Sequence, residues 1–145
     1  MIPTLERSDR FRLALALGFF AVAGATNPSL DSGVGTVVAT SFAVVGVYAL
    51  ARHARTISRK RLAILSIGLW CAFLVLSLAY LVGLETVAAS TPGGRATTIA
   101  LVDGVTWSML LGAGGSTAFL GFRELGAQRG SESPEEQVLD QDLDL

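Results

Sequence analysis

Three carboxylates, Asp31, Glu85 and Asp103, lie at corresponding ends of long apolar stretches, and Arg95 is the one basic residue near them. Acids in such places do one of two jobs. They cap helix N-termini and carry solvated charge, or they draw cations to the mouth of a pore. Capping is the simpler expectation, because Asp31-Ser32-Gly33 and Asp103-Gly104 both read as helix starts. At the opposite ends of those stretches, Arg52, Arg55, Arg59, Lys60 and Arg61 place five positive charges in ten residues around His53. Basic clusters at a membrane edge attract anionic headgroups, each residue contributing about 1 kcal/mol.

Catalytic sets are hard to assemble from what remains. His53 is the sole histidine, and Cys71 is the sole cysteine and falls inside an apolar run. A Ser–His–Asp or Cys–His pair, a bis-histidine haem site and a cysteine metal cluster therefore cannot be built from this chain alone. No glycine-rich phosphate loop leading into Lys-Ser or Lys-Thr occurs. The expectation is a protein without catalytic residues, cofactor or metal. Membrane topology accounts for the basic residues, so nucleic acid is not an expected partner.

Membrane-spanning helices must position these groups. The chain is 51% hydrophobic and 16% charged, with a mean hydropathy of +0.55, whereas soluble domains carry about a quarter charged residues. The charges are segregated, leaving 13–30, 32–51, 62–84 and 104–122 uncharged. Each run approaches the roughly 20 residues that a spanning helix needs. The sequence thus predicts an all-α polytopic membrane protein, a four-transmembrane-helix bundle with helices at about 12–27, 33–51, 61–88 and 98–123. A cytoplasmic segment, 1–12, would precede the transmembrane domain 13–122, and an acidic cytoplasmic tail, 124–145, would follow it.

Orientation follows from the arginines. The 52–61 connector, the amino-terminal Arg7, Arg10 and Arg12, and Arg123 with Arg129 all fall on one side of a four-span chain, which the positive-inside rule makes cytoplasmic. A prokaryotic cell membrane suits an arginine-rich, alanine- and glycine-rich composition in which Lys60 is the single lysine. An alternative reading of the start exists, since a basic segment, an apolar run and Ala23-Gly24-Ala25 also describe a secretory signal with its cleavage site. The small residues Ala14, Gly18, Ala21 and Ala25 share a helix face, which a discarded signal has no use for, so a retained first span is preferred.

Small residues recur throughout. In the last span Ala96, Ala100, Gly104, Ser108, Gly112 and Ser116 are spaced by four. The second span carries Gly35, Ala39, Ala43 and Gly46, and the third Gly68, Ala72, Ala79 and Gly83. Helices in lipid associate by close backbone approach along such rows. Gly35, Ala39, Gly46, Gly104, Ser108, Gly112 and Ser116 are accordingly the expected helix-packing residues, within one chain or in a homo-oligomer.

Two functions fit this outline. The first is a non-catalytic accessory or scaffold subunit that associates through small-residue faces with itself or another membrane protein. Its tail, with Glu132, Glu135, Glu136, Asp140, Asp142 and Asp144, would dock a basic cytoplasmic surface or fold back on 52–61. The second is a small cation or small-solute transporter entered at the Asp31/Glu85/Asp103 rim. Its weakness is that no charged residue lies at mid-depth, where relay groups belong.

Overall fold

A computed structural model describes residues 3–26, 33–90, 92 and 94–129. The described residues form five α-helices: α1 (Pro3–Thr26), α2 (Gly33–Thr56), α3 (Arg59–Val82), α4 (Leu84–Ser90) and α5 (Arg95–Arg129). The all-helical expectation holds, while most helix ends differ from it. Helices run past the apolar blocks into charged sequence, because arginine, lysine, glutamate and alanine are good helix formers and hydrophobicity does not end a helix. So α1 begins well before 12, α2 continues to Thr56, and α5 starts at Arg95 and extends through Arg129, into what was expected to be tail.

Two breaks have local causes. Ser58 caps α3, its hydroxyl accepting from the Arg61 amide at 3.3 Å, so the basic connector shrinks to Ile57-Ser58 between two helices. Gly83 ends α3 with φ at 96°, a conformation open to glycine and costly for other residues. Its amide still reaches the Ala79 carbonyl at 3.1 Å, and α4 restarts from the Gly83 carbonyl, which accepts from the Thr86 amide at 3.1 Å. The third span therefore does not run on to 88.

The long helix α5 contacts all four others. It packs extensively on α1 and α3 and more lightly on α2 and α4, while α1 also packs along α2. A core of Ala16, Phe20 and Leu50, each fully buried, fills the α1–α2 contact, with Leu111 and Phe119 of α5 against it. Outward faces are apolar: Val37, Val44 and Val47 on α2, and Ile64, Ile67, Leu74, Val75, Leu78 and Leu81 on α3 are exposed.

Three helical segments are long and apolar enough to cross a membrane: Gly33–Thr56, Arg59–Val82 and Arg95–Gln128. They support a membrane protein. The first helix differs, because charge persists to Arg12 and its uncharged part, 13–26, is about 21 Å long at 1.5 Å per residue.

Candidate functional site

The small-residue row of α5 points inward, and its contacts lie within the chain. A Cβ placed on Gly104 would stand 2.8 Å from the Ala21 carbonyl oxygen and 3.3 Å from the Ala25 Cβ. One turn on, Ser108 is buried and donates to the Leu17 carbonyl at 2.8 Å. At Gly112 the nearest atoms are Leu17 Cδ2, at 2.9 Å, and Leu69 Cδ1, at 3.3 Å. Ser116 is fully buried, and its hydroxyl has no hydrogen-bond partner among the described residues. Of the expected packing residues on α2, Gly46 is buried against the Phe20 ring, 2.6 Å from its would-be Cβ, while Gly35 and Ala39 are half-buried.

The other rows face inward only in part: Ala21 and Ala25 of α1 meet Gly104. Ala14 and Gly18 of α1 and Gly68 of α3 are exposed, and nothing lies within 4 Å of a Cβ at either glycine. Ala96, at the start of the α5 row, is exposed too. Small side chains and large aliphatic ones are equally at ease against lipid, so size alone does not tell an inner face from an outer one. The α3 face toward α5 is instead made by Leu62, Ser66 and Leu69, all buried. Here Ser66 and Thr117 share a hydroxyl–hydroxyl bond of 2.7 Å, Trp70 Nε1 donates to Thr117 Oγ1 at 3.2 Å, and Thr117 donates to the Ala113 carbonyl at 2.8 Å. Sequence reasoning did not find this polar triad; Ser66 and Trp70, four apart on one helix, were its only signal.

At the acidic end, Glu85 is paired with Arg95, and Asp103 accepts a 2.6 Å bond from the Tyr80 hydroxyl. Asp103 is not a helix cap, because α5 begins at Arg95, two turns earlier. Asp31 lies outside the described residues. Among the described residues no three histidine, cysteine or carboxylate side chains gather as metal ligands.

The basic end is more tightly built. Arg123 of α5 donates to the Ala54 carbonyl at 3.1 Å and to the Ile57 carbonyl at 2.8 Å, satisfying the C-terminal carbonyls of α2 that a helix leaves open. Arg59 pairs with Glu124 at 3.2 Å, joining α3 to α5. His53 was expected at the surface of the connector. It is 5% exposed, facing Asp9 and Arg12 of α1, and its Nδ1 has no partner among the described residues. The spacing of Gly46, Leu50, His53 and Ala54, the buried face of α2, carried that information. Arg12, the connector residues and Arg123 thus collect at one end of the molecule, with Arg95 beside Glu85 at the other. Comparison with known protein families, curated proteins and solved structures finds no match.

Proposed function

We propose that this chain is a non-catalytic accessory or scaffold subunit of a prokaryotic cell membrane, spanning it four times with both termini in the cytoplasm. The observation that carries the reading is a filled interior: Ala16, Phe20, Leu50, Leu62, Ala113 and Ser116 are each fully buried. A solid bundle with an apolar girdle and a charged end suits docking better than flux or turnover. The α1 helix belongs to this unit, since Phe20 and Leu17 sit at its centre, which favours retention over cleavage as a signal.

In this reading the small-residue rows close the bundle itself, and partners meet the outer faces of α2 and α3 or the acidic tail beyond 129. The transporter alternative gains no support from Glu85 and Asp103, which are already engaged by Arg95 and Tyr80. Crosslinking of the full-length protein in native membranes tests the proposal. Recovery of a discrete adduct, with itself or a second membrane protein, is expected, and monomer alone would refute it. Liposomes that pass a cation in wild type, and not with Asp103→Asn, would favour the transporter instead.

A further inference from the structure

Between α1 and α2 at the basic end lies a cavity of about 420 Å³ lined by Arg12, Tyr48, Ala51, Arg52, Arg55 and Thr56. Arg12, Arg52 and Arg55 bring three guanidinium groups to its lining, and among the described side chains the one carboxylate within 4 Å of any of them is Asp9, 3.7 Å from Arg12. Arg52 is held in place by Tyr48: it donates to the phenol oxygen at 3.2 Å and lies 5.9 Å from the ring centroid. Guanidinium forks match the oxygens of a phosphate, and a tyrosine at this depth marks a membrane interface. One turn deeper on the same side of α2, Val44 is exposed, and Val47 is exposed beside it. The site therefore has a cationic half at the membrane edge and an apolar half running into the bilayer.

We infer that this cavity binds the phosphate of an anionic phospholipid, whose acyl chains lie along Val44 and Val47. A soluble phosphate ester would use the arginines and leave the apolar half without a role, so a lipid fits better. The inference rests on the membrane placement proposed above, and alkaline extraction tests that placement separately.

The experiment is native mass spectrometry of the full-length protein in mixed micelles of phosphatidylcholine and phosphatidylglycerol. Wild type is expected to retain phosphatidylglycerol preferentially. Arg12→Gln and Arg55→Gln, which remove charged hydrogen-bond donors to the phosphate, should each weaken retention about tenfold or more, whereas Arg59→Gln and Arg61→Gln, which remove the same charge outside the cavity, should lose no more than the roughly fivefold of diffuse attraction. Equal losses in both pairs would reduce the site to diffuse attraction and overturn it, as would no preference in wild type. Displacement by glycerol 3-phosphate would overturn it in favour of a soluble ester. Stronger lipid retention after converting the six tail acids to amides would assign the cavity to the chain's own tail.

Discussion

Gly104 and Gly114 sit on one helix and face opposite environments, so a single methyl group added to each separates packing from helix propensity. At Gly104 the new Cβ would stand 2.8 Å from the Ala21 carbonyl oxygen, roughly half an ångström inside ordinary contact. The obstacle is backbone, which cannot rotate away, so α1 and α5 must part. That also stretches the Ser108–Leu17 bond one turn along. Overpacking of this kind costs about 1–3 kcal/mol. Replacing a mid-helix glycine by alanine returns about 0.5–1 kcal/mol. The net expectation for Gly104→Ala is a loss of about 1–2 kcal/mol. At Gly114 nothing lies within 4 Å, so Gly114→Ala should keep only the gain. Reversible unfolding in mixed detergent micelles, followed by circular dichroism, measures both. Opposite signs are expected; a Gly104→Ala protein as stable as Gly114→Ala would show that α1 and α5 do not touch there.

Substitutions at three further positions probe the other contacts. Gly112→Ala meets the flexible end of Leu17 and should cost less than Gly104→Ala, whereas Gly112→Leu overfills the α1–α3–α5 junction and should abolish cooperative unfolding in the same assay. Arg123→Gln removes the charged donor from the Ala54 and Ile57 carbonyls; a loss of about 1–2 kcal/mol and faster tryptic cleavage between Arg55 and Arg61 are expected, with Arg123→Lys intermediate. Thr117→Val strips the shared partner from Ser66 and Trp70, so a loss of about 1 kcal/mol should accompany a shift in tryptophan emission. Unchanged emission would place Trp70 away from Thr117.

The parts of this fold legible in the sequence are those that charge writes. Lipid rejects arginine and glutamate whatever the neighbours, so the uncharged runs mark the helices and the basic connector marks one end. Helix ends were less legible, because nothing in a membrane edge stops a helix; among the described residues Ser58 starts α3 and Gly83 ends it, by hydroxyl and backbone chemistry respectively. Packing faces were legible only in part. The expectation was close backbone approach along small-residue rows, and Gly104 over the Ala21 carbonyl fits it. Elsewhere a glycine receives a bulky side chain: Gly46 takes Phe20, Gly24 takes Trp107, Gly112 takes Leu17, and Gly115 takes Leu50 at 2.7 Å. A row of glycines thus records half of a contact. The other half is an aliphatic or aromatic residue that looks, in sequence, like any other lipid-facing one. That is why the α5 row was found while Gly18 and Gly68, grouped with small-residue faces, turn out exposed, and why Leu62, Ser66 and Leu69 went unnoticed. The buried His53 has the same origin: its place was set by the register of α2 on α1, one turn beyond Leu50, and its polarity pointed the other way.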